Sequence, residues 1–284
     1  TTFRRDVETD GRRAVVAFAE TMEEDAARRD FTMNALYADR AGTVIDPLGG
    51  LADLEARRVV FIGEAAHRIA EDHLRILRFF RFHAWFAAPG FDPEAVAAIA
   101  QGAEGLERLS RERVGAEMLK LLAAPDPAPS VATMDQVEIL ARILPGAMAA
   151  PLGPLVEAER AAGRAPDALA RLAALSALGV TERLRLSRKD ADVLHRIKAA
   201  MGETDAAASA YWHGERAAWA GALIQGRSQV GEDIARGAAA KCPVSAADFM
   251  DRFAGPALGA RLKDVEARWV ASGFSLSAED LRKD

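Results

Sequence analysis

Hydrophobic residues divide the chain into a short β-rich beginning and a long helical remainder. Three short runs of β-branched or aromatic residues between turn residues predict strands at Ala14–Phe18, Thr43–Ile45 and Val59–Ile62. After Gly63 this signal ends, and apolar residues recur with the spacing of amphipathic helices. Short strands of this kind do not form a stable sheet alone, so we expect a mostly α fold with a small, incomplete α/β part.

Two changes in composition place the expected domain boundaries. The loss of the β signal ends a first domain at 62, and the proline-rich segment 125–129 follows a helical domain over 63–124. Residues 125–284 are rich in Ala and Leu and predict helices throughout. Thr1 is not an initiator methionine and leads directly towards a strand-like run, so we expect the first domain to begin upstream of Thr1.

The most distinctive helical stretch runs from Glu71 to Phe86. On one helix of about 100° per residue, charged residues at every third position form a shallow spiral along one side. Apolar side chains flank this spiral, which predicts burial on both faces. Buried charges need partners, so internal salt bridges are the simpler explanation and an anionic ligand is the alternative. The four charged residues are Asp72, Arg75, Arg78 and Arg81.

Two further helices are predicted in the same region, at Pro93–Ala100 and Ser110–Ala123. Ser110 is a plausible N-cap for the second, and Glu112 in its first turn suits the positive end of the helix dipole. This helix carries an apolar stripe, which indicates that one of its faces packs against a core. The stripe consists of Val114, Met118, Leu121 and Leu122.

Composition and charge exclude several classes of protein. The 284 residues are 50% hydrophobic and 28% charged, as in ordinary globular proteins, and no apolar run suits a membrane helix or a signal peptide. The net charge is −5, so charge alone does not indicate a nucleic-acid partner. Cys242 is the single cysteine, which excludes an internal disulfide and fits a cytoplasmic location. The five histidines lack metal-ligand spacing, and we expect no metal ligand in this chain.

The segment Arg28–Leu36 places two arginines and Asp30 beside an apolar stretch. One explanation is a helix whose two arginines pair with nearby acidic residues. The acidic cluster Glu23–Asp25 is expected to be a solvated helix start. The other is a phosphate clamp that uses Arg29, with Asp30 orienting a sugar or an arginine. Arginine suits phosphate because its planar guanidinium donates several hydrogen bonds at once.

Two other segments carry weaker signals. Asp46–Leu54 contains a Pro-Gly-Gly turn, after which Asp53 could cap or hinge the next element. A basic cluster precedes a predicted helix and suits either a phosphate backbone or a solvated helix start. It consists of Arg183, Arg185, Arg188 and Lys189. Asp190 and Asp192 follow without a Gly-rich turn or strand before them, and we interpret them as surface residues of that helix.

Four collinear segments resemble the class II tRNA nucleotidyltransferase (CCA-adding enzyme) and bacterial poly(A) polymerase family. R-R-D-F-T-M-N-A at 28–35 is similar to its R-R-D-x-T-x-N-A motif, and D-P-L-G-G-L-A-D-L at 46–54 to its D-x-x-G-G-x-x-D-L motif. E-D-H-L-R-I-L-R-F-F-R-F at 71–82 is similar to its E-D-x-x-R-x-x-R-x-x-R-F motif. R-L-S-R-E-R-V-G-A-E-M-L-K-L-L at 108–122 resembles the helix that braces the nucleotide site. The resemblance covers residues 1–123 well.

The resemblance assigns an expected role to each predicted domain. It implies a partial nucleotidyltransferase head at 1–62, a helical neck that recognises the base at 63–124, and a helical body and tail that bind tRNA at 125–284. It also implies Mg²⁺ as cofactor. The family's D-x-D metal ligands and Gly-rich loop are expected upstream of Thr1, so no catalytic residue is expected in this chain.

The chemistry of Asp72 and Arg75 suits selection of cytosine and adenine. Both bases present an amino donor beside a ring-nitrogen acceptor, whereas uracil and guanine present a carbonyl beside a ring N–H. A carboxylate only accepts and a guanidinium only donates, so Asp72 matches the amino group and Arg75 matches the ring nitrogen. Three arginines would hold the triphosphate or brace this pair: Arg29, Arg78 and Arg81.

Three functions remain open at this point. The favoured one is an enzyme that adds CCA to tRNA 3′ ends from CTP and ATP, with protein side chains selecting the base. A bacterial poly(A) polymerase is the close alternative, although the Asp/Arg pair suits both C and A. A non-catalytic RNA- or nucleotide-binding protein without the metal site is the third.

Overall fold

The computed structural model describes the backbone of Arg4–Thr9 and Ala14–Phe18 and the whole of residues 21–283. Strands β1 (Arg4–Thr9) and β2 (Ala14–Phe18) pair antiparallel, with an irregularity between Asp6 and Glu8. Strands β3 (Tyr37–Ala38) and β4 (Val44–Ile45) form a second antiparallel pair. The described strands all lie before residue 46, which confirms a mostly α fold with a small strand-containing beginning.

Of the three predicted strands, two correspond to strands of the structure and one does not. The first is β2 and the second overlaps β4, but Val59–Ile62 forms only an isolated bridge between Phe61 and Phe31. Two backbone hydrogen bonds join this extended segment to Asp30–Thr32, from Thr32 N to Val60 O and from Ile62 N to Asp30 O, both 3.0 Å long. The prediction of a regular strand is therefore wrong, because the aromatic content of the segment reflects packing of Phe61 in the core.

Helices dominate from residue 50 onwards. The first part of the chain contains α1 (Met22–Ala27), α2 (Gly50–Glu55), α3 (Ala65–Glu71), α4 (Leu74–Phe86), α5 (Pro93–Gly102), α6 (Arg111–Leu122), α7 (Ala128–Gln136) and α8 (Ile139–Ile143). The remainder contains α9 (Leu152–Ala161), α10 (Ala168–Ala174), α11 (Val180–Arg183), α12 (Arg188–Ala200), α13 (Ala206–His213), α14 (Glu215–Ile224), α15 (Gly231–Ala239), α16 (Gly255–Ala271) and α17 (Ala278–Arg282). Short 3₁₀ turns lie at Thr32–Asn34, Ala103–Arg108 and Ala246–Asp248.

The two helices predicted at Pro93–Ala100 and Ser110–Ala123 are confirmed. Helix α5 begins at Pro93 after the N-cap Asp92, and α6 begins at Arg111 after Ser110, whose hydroxyl accepts from Arg113 N. The predicted apolar stripe of α6 is buried, and Glu117 lies buried beside it. The charged residue inside an apolar face indicates that α6 has a polar partner in the core.

Contacts between residues divide the chain into two compact units. The first consists of Thr1–Glu157 and Ala165–Ala191, and the second of Ala158–Arg164 and Asp192–Asp284. This division does not test the predicted boundaries at 62 and 124, which stay predictions.

The first unit is built around α4, which is apolar on both sides as the sequence indicates. Ile76 and Phe80 are fully buried, and α4 packs against α6 and α7. On another side, the Phe79 ring stacks on Phe61 with 5.6 Å between ring centroids, and Phe31 packs against both of them. The segments on either side of residues 31 and 61 are thereby held against α4.

The second unit relies on close backbone packing between small residues. Helices α13, α14 and α15 pack against one another, and Gly237 of α15 lies so close to α13 that an added Cβ would overlap the carbonyl oxygen of Ala207. A separate apolar cluster includes Phe249 and Trp269. Within residues 21–283, no helix is long and apolar enough to span a membrane.

Replacement of Gly237 by Ala should destabilise the second unit. The added methyl group meets backbone that cannot move without shifting a helix, so the free energy of unfolding should fall by roughly 1–3 kcal/mol. The matched control is Gly259→Ala in α16, where no atom lies near the added Cβ and where stability should rise by about 0.5–1 kcal/mol. Urea denaturation followed by circular dichroism measures both. Equal effects of the two substitutions would contradict the packing argument.

Candidate functional site

The acidic cluster before the first motif divides in two: Glu23 and Glu24 are exposed in the first turn of α1, whereas Asp25 is buried. Asp25 is 1% exposed and accepts hydrogen bonds from Arg28 Nη2 at 2.9 Å, Arg29 Nη2 at 3.0 Å and the Tyr37 hydroxyl at 2.7 Å. The expectation of a solvated helix start is therefore confirmed for Glu23 and Glu24 and wrong for Asp25, because α1 turns Asp25 towards these donors. The explanation that both arginines pair with nearby acids is confirmed. Burial, together with the hydrogen bond to Asp25, raises the pKa of Tyr37 to about 12.

Asp30 connects this segment to α4. It is 4% exposed, and its carboxylate accepts from Arg78 Nε, from Asn34 Nδ2 at 2.8 Å and from the Phe31 amide at 3.1 Å. Burial by itself raises the pKa of Asp30, but the hydrogen bond and charge of Arg78, with help from Asn34, outweigh it and hold the pKa below its ordinary value. Asp30 therefore orients an arginine, Arg78, which is one of the two roles considered for it; the other was to orient a sugar.

The three arginines of α4 each have a protein partner. Arg75 donates through Nη1 to Glu71 and, at 2.7 Å, to the Arg68 carbonyl, and through Nη2 to the Arg28 carbonyl at 3.2 Å. Arg81 donates through Nε to Glu117 at 2.6 Å. The prediction that these arginines form internal salt bridges is confirmed, although they are half-buried, while their role towards a nucleotide stays a prediction.

Two of these arginines retain donors for a ligand. Within the described residues, Arg78 and Arg81 each use only Nε for hydrogen bonds, and their Nη groups have no partner. The Arg78 side chain is 29% exposed. Both guanidinium groups also lie over the ring of Phe82, with 5.7 Å and 4.5 Å from Cζ to the ring centroid. Arg29 differs, because its Nη groups are bound to Asp25 and to the Asn34 carbonyl.

Asp72 lies outside the helix in which it was predicted. Its backbone is extended, with φ −153° and ψ 104°, and it separates α3 from α4. The helix begins at Leu74 because the Asp72 carboxylate accepts from the Leu74 amide at 3.1 Å, as a capping side chain does. The prediction that Asp72 and Arg75 share one helix face is therefore wrong. They remain adjacent through a 3.0 Å hydrogen bond from the Arg75 amide to the Asp72 carbonyl.

Two residues that the sequence did not reveal hold the turn containing Asp72. Arg113 of α6 donates through Nη2 to Asp72 Oδ2 at 2.6 Å. The ring of His73 packs so closely on Gly105 that an added Cβ there would overlap it. Arg113 lies within the motif at 108–122, so a signal existed, but the sequence does not show which carboxylate it meets.

The Asp46–Leu54 segment braces the same region. The Asp46 carboxylate accepts from the amides of Gly50 at 2.8 Å and Leu51 at 2.9 Å, so Asp46 caps α2. Asp53 instead accepts from the Thr32 hydroxyl at 2.7 Å. Of the two roles considered for Asp53, capping is therefore wrong, since its carboxylate links α2 to the turn after Asp30.

The other charged candidates lie elsewhere. Asp190 accepts from the Ser187 hydroxyl at 2.7 Å in the first turn of α12, and Asp192 is exposed. Arg185 is an exposed partner of Glu112 at 3.7 Å. In residues 21–283 there is no group of three or more His, Cys, Asp or Glu side chains able to hold a metal ion, so these residues do not fit one.

The charges around α4 favour an anion. Seven arginines share five carboxylates in the ion pairs of this region, which leaves an excess of positive charge. The arginines are Arg28, Arg29, Arg68, Arg75, Arg78, Arg81 and Arg113, and the carboxylates are Asp25, Asp30, Glu71, Asp72 and Glu117. A triphosphate is an anion that such a cluster suits.

Comparisons with known proteins agree with this geometry. Residues 1–60 match the family described as "Poly A polymerase head domain", and residues 90–150 match "Probable RNA and SrmB- binding site of polymerase A". The chain is 48% identical over 124 residues to the mitochondrial CCA tRNA nucleotidyltransferase 1 of Danio rerio, which is 43% of this chain and 29% of that protein. It is 48% identical over 129 residues to a CCA-adding enzyme of Streptococcus pyogenes, which is 44% of this chain and 31% of that protein.

A solved structure extends the likeness along the chain. The CCA-adding enzyme of Bacillus stearothermophilus in complex with CTP superposes with a TM-score of 0.71 and 28% identity over 96% of this chain and 74% of that one. In these matched segments and in its fold, the chain is similar to the class II tRNA nucleotidyltransferases, the CCA-adding enzymes, and to bacterial poly(A) polymerases. The matched segment spans under a third of the length of either curated relative.

The Asp30–Arg78 pair should make stability depend on pH. Because the pKa of Asp30 is lowered on folding, its stabilisation is present above the ordinary carboxyl pKa of about 3.9 and is lost as the pH falls through the folded value. Asp30→Asn should therefore lower the free energy of unfolding at pH 7 by roughly 1.5–3 kcal/mol, and by less near pH 3. Urea denaturation across this range measures it.

The control is Glu107→Gln, which removes an exposed pair with Arg142 and should change stability little at any pH. An effect of Asp30→Asn that is the same at pH 7 and pH 3 would contradict the role of its charge.

Proposed function

We propose that this chain forms the nucleotide-selecting part of an enzyme that adds C, C and A to tRNA 3′ ends from CTP and ATP without a nucleic-acid template. One observation carries the proposal: a carboxylate and a guanidinium, Asp72 and Arg75, are joined through the backbone at the edge of an arginine-rich site. The names of the relatives support the same activity, since they are CCA-adding enzymes.

Asp72 retains the capacity to accept a hydrogen bond from a base. Each carboxylate oxygen offers two lone pairs, and the described contacts use one on each oxygen, for the Leu74 amide and for Arg113. Arg75 likewise keeps its Nε–H and one Nη2–H, because its described hydrogen bonds use both hydrogens of Nη1 and one of Nη2. In this proposal the amino group of cytosine or adenine donates to Asp72, and the ring nitrogen accepts from Arg75.

Uracil and guanine reverse this pattern of donors and acceptors. Their carbonyl oxygen would face the Asp72 carboxylate and their ring N–H would face Arg75, so like groups would oppose each other. A site built for hydrogen bonds can reject a mismatched ligand by roughly 10⁴-fold. The protein would thus take the place of a complementary base.

The remaining candidates divide into two roles. Arg78 and Arg81 have unpartnered Nη groups within the described residues and would hold the triphosphate. Arg29 is bound to Asp25 and the Asn34 carbonyl, so its role is to brace the segment that contains Asp30. Asp30 in turn orients Arg78 for the phosphates.

Mg²⁺ is the cofactor proposed from the resemblance to this family. The described residues do not fit a metal site. We further propose tRNA as the partner, with 63–124 reading the base and 125–284 holding the RNA, and a cytoplasmic location.

Loss of Asp72 or Arg75 should relax base selection more than it weakens triphosphate binding. Asp72→Ala and Arg75→Ala each remove one half of the base contact while Arg78 and Arg81 stay in place. Titration calorimetry of the chain with CTP, ATP, UTP and GTP measures the preference, with Arg142→Ala, which removes only the exposed pair with Glu107, as a control. Unchanged discrimination against UTP and GTP in both variants would refute the assignment.

The activity itself is tested with the protein from its complete reading frame, including any residues that flank this chain. Incubated with a tRNA that lacks its 3′ end, with Mg²⁺ and all four nucleotides, it should add C, C and A in that order. Addition of A alone would favour a poly(A) polymerase. Binding of tRNA without any addition would favour a non-catalytic protein.

A further inference from the structure

Arg68 is a buried arginine to which neither the motifs nor the proposed function assign a role. It lies near the end of α3 and is 8% exposed. Its Nη2 donates to the Arg29 carbonyl at 2.5 Å, and its Nη1 donates to Glu71 Oε2 at 2.5 Å. Because Arg68 is buried and already bound to these two acceptors, it does not contact a nucleotide directly. Any influence of Arg68 on nucleotide binding must act through Glu71 and the Arg29 carbonyl.

Glu71, which Arg68 holds, also contacts Arg75. Glu71 Oε2 accepts from Arg68 and Arg75 together, and the Arg68 carbonyl accepts from Arg75 Nη1 at 2.7 Å. Burial by itself raises the pKa of Glu71, but hydrogen bonding to Arg75 and the charges of both arginines outweigh it, so the pKa lies below its ordinary value. Glu71 is therefore a carboxylate shared by two cations.

The contacts close into a ring that spans three elements. Arg68 holds the Arg29 carbonyl, Arg75 holds the neighbouring Arg28 carbonyl, and Glu71 joins the two guanidinium groups. The end of α1, the end of α3 and the first turn of α4 thus fix one another. Because the Arg75 guanidinium is a member of this ring, its position depends on every other member.

We propose that Arg68 is a positioning residue that fixes the Arg75 guanidinium for base selection, an inference that rests on the proposed function of Arg75. Without Arg68, Glu71 has Arg75 as its only arginine partner, and the Arg29 carbonyl loses its donor. The guanidinium of Arg75 is then free to follow Glu71 away from the base. A displacement of about 1 Å in such a site can cost about a hundredfold in rate.

The planar guanidinium is needed at this position. Arg68 reaches two acceptors on different elements, a carboxylate on its own helix and a carbonyl that follows α1. An ammonium group is a compact charge on a flexible stem and does not reproduce this fork. Arg68→Lys should therefore preserve charge near Glu71 but lose the link to Arg29.

A matched control separates positioning from stability. Arg171 is also a buried arginine, 1% exposed, and donates to the carbonyls of Leu122 and Ala124 at the other end of α6 from Arg113. Arg68→Lys and Arg171→Lys should both lower the melting temperature. Only Arg68→Lys should lower the preference for CTP over UTP, by about tenfold to a hundredfold.

The experiment measures two quantities for wild type and each variant. Calorimetric affinities of the chain for CTP and UTP give the preference in binding, and the protein from the complete reading frame gives the ratio of kcat/KM for the two nucleotides. Circular dichroism fixes a temperature at which each variant is folded. Should Arg68→Lys not fold, Glu71→Gln breaks the same ring at a half-buried position and should reduce the preference in the same way.

The outcomes distinguish the two proposals. A wild-type protein without preference for CTP over UTP overturns the proposed function, and the role of Arg68 with it. A selective wild-type protein whose selectivity falls in Asp72→Ala but survives in Arg68→Lys and Glu71→Gln overturns only the positioning role. Loss of selectivity in Arg68→Lys with full selectivity in Arg171→Lys supports it.

Discussion

The structure depends on one constraint, which is that guanidinium groups on a helix buried on both faces must find partners within the fold. Helix α4 presents Arg75, Arg78 and Arg81 among aromatic and aliphatic side chains, where an unpaired charge would be costly. Their partners come from three other places in the chain: Glu71, Asp30 and Glu117. Satisfying the charges of one helix therefore fixes the positions of the segment around Asp30, the end of α3 and helix α6.

The same contacts prepare a site because they use only part of what each group offers. Arg78 is held through Nε, which fixes its plane and leaves its Nη groups exposed to a ligand. Asp72 is held by an amide and by Arg113, which fixes its carboxylate and leaves lone pairs on both oxygens. Each salt bridge thus leaves donors or acceptors for the proposed nucleotide contacts, and the choice posed by the sequence between salt bridge and nucleotide site is not exclusive.

Patterns in the sequence predict features that depend on neighbouring residues. They do not predict features that depend on a partner far away in the sequence. The start of α5 at Pro93, the cap of α6 at Ser110 and the need of the α4 arginines for anions follow from spacing and charge alone. The break at Asp72 does not, because an aspartate three residues before an arginine suits a helix interior as well as a cap, and Arg113 on α6 holds this aspartate in the break. Burial of Asp25 and packing of Phe61 on Phe79 likewise depend on contacts that spacing does not encode.

The central claim is that Asp72 and Arg75 together read the base while the arginines beyond them hold the phosphates. A crystal structure of the chain bound to CTP tests it most directly. The account predicts the cytosine amino group about 3 Å from the Asp72 carboxylate, the ring nitrogen facing an N–H of Arg75, and Arg75 still donating to the Arg28 carbonyl. A triphosphate bound by Arg78 and Arg81 with its base touching neither Asp72 nor Arg75 would contradict it.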